Sequence, residues 1–445
     1  MGEPHLPPVR PPRVFIGFTE VAGYFGNLQS ALRSLGIRAD FVDESHHAFQ
    51  YRRPSLLAVL ANFIHTALRR SAETRNRPTA AAWWVAALPL RGAKAIVHCW
   101  LFAAALARYD AFIFCGGDSL LPRNADLPLL RRLGKRVIWV FTGSDHRPPY
   151  LDGIAVRRYR NDIASLIVEA GRVKARVSRA EQHADWVVAL PASSQFHSRP
   201  FVNFLRMGIP FVLDQRLVVG ANPFSGDGTR ILHAPSEPGS KGTRWVRDCV
   251  QELRAKGYAL DYVELSGCPH AEILAAIANC DLVIDDVFSD TPMAVLACEA
   301  AALGKPTVVT GYYADLIRDE LPTAWIPPTM FEAPSQLAVA VEQLVADEAR
   351  RAELGSRARR FVEEQWSPRA VAERFLRLIA GDVPGDWVVS SRDVQYLHGG
   401  GLTKRQVSET VRHVVAAGSD AALLLDHNPL LKEKLLRFAV PHVVP

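Results

Sequence analysis

The sequence of 445 residues contains only six cysteines, and no two of them are spaced as C-x-x-C. Most of them lie inside apolar runs, where a cysteine is usually a reduced, buried and small hydrophobic side chain. The missing disulfide framework favours a cytoplasmic location, and work at the inner face of a membrane is left open. Scattered histidines such as His46 and His47 have no partners at zinc spacing, so no metal is expected.

No uninterrupted apolar stretch reaches the roughly 18 residues that a membrane-spanning helix needs. Residues 1–13 are rich in proline and contain no apolar run, so we expect that they are not a secretory signal. The formal charge of +6 favours an anionic partner. The chain has no recognised nucleic-acid motif and no dense Lys/Arg tract with interleaved aromatics, which argues against nucleic acid. Nucleotide phosphates, an acidic glycan or a lipid surface are therefore the expected partners.

With 49% hydrophobic and 22% charged residues, the chain is too apolar to be disordered and too long for one simple core. Apolar runs alternate with helical patterns in residues 13–190 and again, more regularly, in residues 229–309. This alternation predicts an α/β fold with parallel sheets. We expect Rossmann-like domains over residues 1–215 and 216–380, followed by a mainly helical extension over residues 381–445.

Residues 55–108 combine apolar side chains with arginines at helical spacing, and Trp83, Trp84 and Trp100 lie at or near the end of this pattern. One interpretation is a surface that rests on anionic lipid, as expected for an enzyme with a lipid-linked acceptor. The alternative is ordinary helices that pack on a sheet and leave their arginines in water. Peripheral contact with a membrane is therefore left open.

A loop rich in proline, glycine and serine, residues 234–242, leaves one predicted strand of the second half and ends where a helix begins. Backbone N–H groups at a helix N-terminus carry partial positive charge, and Lys241 at that place would complete a seat for a diphosphate. The alternative is a plain surface loop with a solvated lysine, because the loop matches neither Walker A nor the dinucleotide fingerprint.

A second element, residues 285–306, begins where another predicted strand ends in two acids. A polar loop follows, and then a helix of small residues that carries one acid, Glu299. An acid in such an apolar helix is costly unless it is hydrogen-bonded. The hydroxyl pair of a ribose is a suitable partner.

Taken together, the strand-loop-Lys-Gly pattern, the acid-ended strand and the Glu299 helix with the Gly-Lys-Pro that follows it resemble the GT-B glycosyltransferases of the retaining, family-4-like type. Residues 359–367 resemble that family's C-terminal helix, and residues 141–145 resemble its Gly-Ser-Asp loop. The resemblance covers roughly residues 13–378, and its specific part is residues 231–309. It implies two Rossmann-like domains that face a cleft.

The resemblance also implies roles for individual residues. Lys241 would hold the donor diphosphate and supply the main electrostatic term of catalysis, and Glu299 would contact the donor ribose. No cofactor is expected, since the nucleotide-sugar is itself the substrate. The resemblance further implies that the donor is bound by Ser236, Gly242, Thr243, Thr291, Pro292, Met293 and Glu299.

The sequence departs from the family at two places. The first glutamate of the Glu-x7-Glu motif falls on Thr291, and Asp290 one place earlier is the candidate that replaces it as a catalytic residue. The family's usual arginine, a few residues before the lysine, falls near Ser236. Arg230 or His233 is then the candidate source of positive charge.

In the first half, Asp145 and His146 are candidate catalytic residues. They follow the predicted strand over residues 136–141, at the edge of a parallel sheet where ligands bind, and would face the donor sugar across the cleft. His146 is a candidate for handling an acceptor proton or a sugar hydroxyl. The alternative is a loop-capping aspartate and a solvated histidine. Candidate contacts with the acceptor follow the first strand: Glu20, Tyr24 and Asn27.

The expected function is transfer of a sugar from a nucleotide-diphospho-sugar to a glycan or a lipid-linked acceptor, with retention of configuration. The resemblance places this reaction in the synthesis of a surface polysaccharide or glycolipid. Two alternatives stay open. One is a non-catalytic GT-B-like subunit that binds glycan or nucleotide, and the other is a sugar-nucleotide epimerase.

Overall fold

The computed structural model describes residues 10–43, 88–212 and 228–440. The chain divides into two compact units, which are Met1–Val140, Gln182–Val187 and Ala372–Asp382 in the first, and Phe141–Glu181, Val188–Val371 and Val383–Pro445 in the second. The domain boundaries expected after residues 215 and 380 stay a prediction. His46, His47 and residues 55–87 of the segment with a hypothetical lipid surface lie outside the described residues.

The first unit has a parallel sheet at its centre. Its elements are β1 (Val14–Phe18), α1 (Tyr24–Ser34), β2 (Ala39–Asp43), α2 (Leu88–Arg108), β3 (Ala111–Cys115), α3 (Leu127–Arg132) and β4 (Arg136–Val140). The strands pair in the order β4-β3-β1-β2, and all of these pairs are parallel. Every residue of β1 and β3 is buried, which is typical of parallel strands that are covered on both faces.

The elements that follow along the chain lie in the second unit, except for the residues Gln182–Val187 and Ala372–Asp382, which belong to the first. They are α4 (Gly153–Arg158), α5 (Ile163–His183), β5 (Trp186–Ala189), β6 (Phe201–Asn203), α6 (Phe204–Met207), β7 (Thr229–His233), α7 (Thr243–Ala255), β8 (Leu260–Glu264), α8 (His270–Ala278), β9 (Leu282–Ile284), α9 (Val295–Ala302), β10 (Thr307–Thr310), α10 (Ile317–Glu320), β11 (Met330–Glu332), α11 (Leu337–Ala346), α12 (Glu348–Glu364), α13 (Pro368–Ala380), β12 (Val388–Val389), α14 (Lys404–Gly418) and α15 (Pro429–Ala439). The two C-terminal residues of β5 pair in parallel with β6, and β12 pairs antiparallel with β6.

A five-stranded parallel sheet in the order β11-β10-β9-β7-β8 forms the other part of this unit. Successive side chains of a strand point to opposite faces, and the two cores show it. Ile231 packs with Val246 of α7 on one face, while Leu232 packs with Leu274 of α8 on the other. Helices therefore cover both faces of the sheet.

The expected α/β class, the two parallel sheets and the mainly helical C-terminal region are confirmed. The pattern of the sequence does not indicate β6, β11 and β12, which have only two or three residues each. Trp100 of α2 is exposed, as either interpretation of its segment allows. In the part of the chain that the structure describes, no helix is both long and apolar enough to cross a bilayer.

Candidate functional site

The candidate site lies at the carboxyl edge of the five-stranded sheet, between β7 and β9. From β7 the chain goes first to the neighbour on one side, β8, and then to the neighbour on the other side, β9. In a parallel sheet such a change of direction leaves a crevice beyond the strand ends, and ligands bind there. The loop of residues 234–242 leaves β7 at this point, and the loop of residues 285–294 leaves β9.

The first loop is organised by its own acid. The Glu237 carboxylate accepts hydrogen bonds from the backbone N–H groups of Gly239, at 3.2 Å, and Ser240, at 2.6 Å, and Arg157 pairs with it at 3.0 Å. A carboxylate of the protein therefore occupies two backbone N–H groups of the loop just before Lys241. Ser236 is exposed near the start of this turn.

The loop ends at position 242, where only glycine fits without strain. Gly242 has φ +72°, and a Cβ atom there would lie 2.6 Å from the Cβ atom of Val287. Thr243 begins α7 and is buried, and its hydroxyl lies 2.9 Å from Nε2 of His233, at the end of β7. Nδ1 of His233 lies 2.8 Å from the Ile284 carbonyl, which can only accept a hydrogen, so Nδ1 carries the proton.

Lys241 is held between the two acids that follow β9. Its Nζ atom lies 3.1 Å from Asp286 Oδ2 and 3.5 Å from Asp285 Oδ1. Burial lowers the pKa of Lys241, but the charges of the two aspartates outweigh burial and hold that pKa above its usual value. Lys241 is therefore a charged ammonium group, and a diphosphate would have to compete with these carboxylates for it.

Asp290, the candidate replacement for the family's first glutamate, is buried and forms an ion pair with Arg147. Arg147 also lies 3.6 Å from Asp152, so one guanidinium group faces two carboxylates. Burial raises the pKa of Asp290 to about 6, while Arg147 and the hydroxyl of Tyr396 limit the rise.

Polar bonds inside the second loop fix its shape. The Ser289 hydroxyl donates to the Thr291 carbonyl at 2.8 Å, and the Thr291 hydroxyl donates to the Met293 carbonyl at 3.3 Å. Met293 is buried, and the Pro292 carbonyl accepts a hydrogen bond from Thr329 at 3.0 Å. The Thr291 side chain therefore stabilises the turn before α9. The donor contacts predicted for residues 291–293 stay predictions.

Glu299 lies in α9, which starts after the second loop. It is buried, and its Oε1 atom lies 2.7 Å from Nε2 of His270, the first residue of α8. The bond to Glu299 raises the pKa of His270. Glu299, the acid in the apolar helix, is thus hydrogen-bonded to a protein side chain. That partner, His270, is partly exposed and lies at the edge of the sheet where the two loops leave their strands.

His146 is fully buried and belongs to a chain of hydrogen-bonding groups. Its Nε2 atom lies 2.9 Å from the Ser193 hydroxyl, and its Nδ1 atom lies 2.9 Å from Nε2 of His197, whose Nδ1 atom lies 3.0 Å from Glu181. Burial, with the charges of His197 and Arg147, holds the pKa of His146 well below its usual value. The solvated histidine of the alternative interpretation is therefore wrong, and His146 would have to break one of these bonds before it could act on an acceptor.

Asp145 has the structural role that the alternative interpretation gives it. Its carboxylate accepts hydrogen bonds from the backbone N–H groups of Thr142, at 3.1 Å, and Gly143, at 2.9 Å, which closes the loop after β4. Burial raises the pKa of Asp145. A catalytic role for Asp145 stays a prediction.

The candidate acceptor contacts lie in the first unit, around the start of α1. The Glu20 carboxylate accepts hydrogen bonds from the N–H groups of Val21, Phe25 and Gly26 at 2.8, 3.1 and 2.9 Å. Glu20 and Tyr24 are buried, whereas Asn27 is partly exposed. Glu20 therefore caps α1, and of the three residues Asn27 is the most open to a ligand.

The two candidate sources of extra charge do not supply it. Arg230 lies near the start of β7, at the edge of the sheet opposite the loops, and pairs with Asp261 at 2.6 Å. Burial lowers the pKa of His233, so its ring is neutral at pH 7. The described residues also contain no group of three or more His, Cys, Asp or Glu side chains that could hold a metal ion.

Three site residues were missed by the sequence analysis: Arg147, His270 and Tyr396. Arg147 directly follows the candidates Asp145 and His146, so its position was an available signal. His270 begins a helix that the sequence predicts, but nothing there indicates its contact with Glu299. Tyr396 lies in the C-terminal extension, where the sequence carries no signal of a functional site.

Comparison with known proteins gives structural neighbours only. No family model matches the chain, and no curated protein matches its sequence. Among solved structures, the chain is similar to Alr3699/HepE of Anabaena in complex with UDP-glucose, to the catalytic domain of starch synthase IV from Arabidopsis thaliana bound to ADP and acarbose, and to the glycosyltransferase SnogD from Streptomyces nogalater.

These similarities are distant. The HepE structure shares 13% identity at a TM-score of 0.44, with 83% of this chain and 99% of that chain covered. The starch synthase domain shares 11% at 0.48, with 84% and 99% covered, and SnogD shares 14% at 0.38, with 83% and 100% covered. Because all three TM-scores lie below 0.5, we base the proposed function on the residues of the site.

Proposed function

We propose that the chain is a glycosyltransferase of the GT-B type, which binds a nucleotide-diphospho-sugar at the carboxyl edge of the five-stranded sheet. One observation supports this proposal above the others. Lys241 lies two residues before the start of α7, in the segment that leaves β7, and Glu299 lies in α9, in the segment that leaves β9; the chain changes direction in the sheet between these two strands. A cation beside a helix N-terminus suits a diphosphate, and a carboxylate suits the hydroxyl pair of a ribose.

In the proposed reaction Lys241 stabilises the diphosphate that leaves the sugar. Negative charge develops on the leaving phosphate oxygen, and a fixed cation in a partly buried site stabilises that charge without rearrangement. Asp285 and Asp286 hold the Lys241 ammonium group in its charged form in the absence of donor. Retention of configuration, a glycan or lipid-linked acceptor, and a place in surface polysaccharide or glycolipid synthesis are parts of this proposal that rest on the family resemblance.

A second candidate is a subunit that binds a nucleotide or glycan without transferring it. The ion pair between the buried Asp290 and Arg147 favours this candidate, because a carboxylate with a protein partner is less available to a donor sugar. For a sugar-nucleotide epimerase, additional acids and bases are needed. Asp145 and His146 are both engaged by neighbouring groups, so no observation favours that alternative.

A binding and turnover experiment tests the proposal. Isothermal titration with UDP, ADP and a panel of nucleotide-sugars is paired with a slow-hydrolysis assay, using Lys241→Ala and the control Lys256→Ala. Lys256 lies at the far end of α7 and pairs with Glu342 at 2.8 Å on the surface. We expect Lys241→Ala to abolish turnover and to weaken nucleotide binding, while the control keeps both.

The two candidate functions give different results in this experiment. Binding that depends on Lys241 without turnover of any nucleotide-sugar supports the non-catalytic subunit. Binding that is the same in Lys241→Ala and in wild type contradicts the assigned site. No binding to any nucleotide or nucleotide-sugar contradicts the glycosyltransferase and a subunit that binds a nucleotide.

A further inference from the structure

The segment that leaves β9 carries three buried acids, Asp285, Asp290 and Glu299. Both carboxylate oxygens of Asp290 and the Oδ2 atom of Asp285 are sealed from water, and Oδ1 of Asp285 faces Lys241 at 3.5 Å. The Oε2 atom of Glu299 accepts no hydrogen bond from the residues that the structure describes, yet it is not one of the sealed atoms. Glu299 is therefore the acid of the three whose carboxylate still offers an oxygen to a ligand.

The other oxygen of Glu299 is held by His270. Nε2 of the imidazole lies 2.7 Å from Oε1, a distance typical of a hydrogen bond between charged groups. The His270 side chain is 26% exposed and that of Glu299 is 5% exposed, so the pair reaches the surface mainly through the imidazole. One carboxylate oxygen is thus occupied by the protein, and the other opens to solvent beside a partly exposed ring.

Core packing fixes the position of this pair. His270 is the first residue of α8, and Glu299 lies in the second turn of α9. Leu274 and Ile277 of α8 share a core with Ala300 of α9 on one face of the sheet. Groups on packed helices are held more precisely than groups on loops, so the imidazole and the carboxylate have little freedom to part.

The loop before α8 is tied to the loop that carries Lys241. The Ser266 hydroxyl donates to the Pro235 carbonyl at 3.2 Å, and Leu265 N–H donates to the His233 carbonyl at 3.0 Å. The start of α8 is therefore fixed against the first loop of the site. In a nucleotide the ribose is joined directly to the diphosphate, so a diphosphate bound at Lys241 carries a ribose to this edge of the sheet.

We propose that His270 is the positioning residue of a ribose subsite: it holds Oε1 of Glu299 and thereby directs Oε2 toward the hydroxyl groups of the ribose. This inference rests on the proposed function, since it assumes that a nucleotide binds at these loops. It gives a role to a histidine for which neither the sequence pattern nor the family resemblance implies one. The site then selects nucleotides that carry ribose hydroxyls.

The bond between the two side chains determines how the carboxylate meets a ligand. A carboxylate accepts through two equivalent oxygens, and one fixed donor removes that equivalence. Without the imidazole N–H, the Glu299 carboxylate can turn about its last torsion, and a largely buried acceptor oxygen is left without a partner. A ribose hydroxyl would then meet a less ordered acceptor, and its contribution to binding would fall.

The test measures what the ribose hydroxyls contribute to binding. The dissociation constants of UDP and ADP are compared with those of their 2′,3′-dideoxy analogues by isothermal titration at pH 7, and inorganic pyrophosphate reports on the diphosphate seat alone. His270→Phe keeps a ring of similar size without an N–H, and His270→Gln supplies an amide N–H at about the reach of Nε2. Glu299→Gln and the double variant His270→Phe/Glu299→Gln complete a double-mutant cycle. Glu272→Gln, which neutralises an exposed acid in the same first turn of α8, is the matched control.

We expect wild type to bind each nucleotide about tenfold or more tightly than its dideoxy analogue, as fits a hydrogen bond to a charged group. His270→Phe should lower this preference about three- to tenfold, and His270→Gln should retain most of it. Glu299→Gln should lose it, and the double variant should lose no more than Glu299→Gln alone, because His270 acts through the carboxylate. All variants should bind pyrophosphate as wild type does, and the control should also keep the wild-type preference.

The outcomes that overturn the inference are distinguishable from failure of the proposed function. A wild type that binds pyrophosphate but gains nothing from the ribose hydroxyls has a diphosphate seat without a ribose subsite. A preference in His270→Phe equal to that of wild type, or a further loss when His270→Phe is added to Glu299→Gln, excludes positioning through Glu299. Loss of pyrophosphate binding in His270→Phe would show that the imidazole supports the fold of this edge instead. A wild type that binds neither pyrophosphate nor any nucleotide overturns the proposed function and this inference with it.

Discussion

Nε2 of His233 lies 2.9 Å from the hydroxyl of Thr243, and this bond joins the end of β7 to the first turn of α7 across the first loop. Because Nδ1 of His233 donates to the Ile284 carbonyl, Nε2 is the acceptor and Thr243 is the donor. Both side chains are buried, so neither group can find water if the other is lost. This side-chain hydrogen bond thus ties together the two ends of the loop that carries Lys241.

Removal of the Thr243 hydroxyl should destabilise the chain and loosen this loop. Thr243→Val leaves the buried His233 acceptor without a partner, which costs about 1–3 kcal/mol. Urea denaturation measures the loss in the free energy of unfolding. Thr243→Ser, which keeps the hydroxyl, should retain most of the wild-type stability. Equal losses in the two variants would show that the methyl group of Thr243, and not the bond to His233, is what matters.

Replacement of Gly242 should be more damaging than replacement of Gly257 at the other end of α7. Both glycines have positive φ, +72° and +94°, so alanine is strained at either place. In Gly257→Ala the new methyl group meets open space, and we expect about 1–2 kcal/mol of destabilisation. In Gly242→Ala it meets Val287, which should add about 1–3 kcal/mol. Equal free energies of unfolding would contradict the close approach of the two loops.

The first loop and the helix of Glu299 could be predicted from the sequence because their signals are local. Each of these patterns spans no more than about ten residues: Lys-Gly at a helix start, acids at a strand end, and a lone acid among alanines. The same holds for most strands, whose buried apolar runs need no knowledge of their neighbours. The strands that were missed have two or three residues each and lie outside the two stretches, residues 13–190 and 229–309, in which apolar runs alternate with helical patterns.

The contacts of Asp290 and His146 could not be predicted from the sequence, because they join distant parts of the chain. Nothing near Asp290 in the sequence indicates that Arg147 and Tyr396 face it. For His146, a polar residue after a strand suggests a ligand, but its two nitrogens are bound by Ser193 and His197 instead. Long-range pairing of buried polar groups follows from packing, which local patterns do not encode.

Neutralising Asp286 should strengthen nucleotide binding. Asp286 lies 3.1 Å from the Lys241 ammonium group and competes with phosphate for it. Asp286→Asn removes one carboxylate next to the diphosphate, and we expect the dissociation constant of UDP or ADP to fall about three- to tenfold at low salt. Asp248→Asn, which removes an exposed charge from α7, is the control for net charge.

The ionic conditions of that titration decide the interpretation. A gain that shrinks as salt increases fits competition between charges. Weaker binding in Asp286→Asn, seen only when magnesium is present, would instead show that Asp286 helps to hold a metal with the diphosphate.

Glu299 should make folding more favourable when His270 is charged. The bond to Glu299 raises the pKa of His270 in the folded chain above its unfolded value near 6.5. The stabilisation is therefore fully present below about pH 6.5 and is lost as the pH rises through the raised pKa. Glu299→Gln should lower the pKa of His270, measured by NMR titration of the imidazole, and should flatten this part of the pH dependence of unfolding.

Variants at Glu299 and Lys241 should distinguish binding of the donor ribose from binding of the donor diphosphate. Inorganic pyrophosphate carries the charge of the diphosphate but has no ribose, so Glu299→Gln should bind it as wild type does and bind UDP or ADP about tenfold more weakly. Lys241→Ala should weaken all three ligands. Competition titration with pyrophosphate against the nucleotide measures both variants in one series. If Glu299→Gln weakened the binding of pyrophosphate and of the nucleotide equally, Glu299 would act through the shape of α9 and not on the ribose. The imidazole of His270, which is partly exposed beside Glu299, would then be the next group to test for the ribose contact.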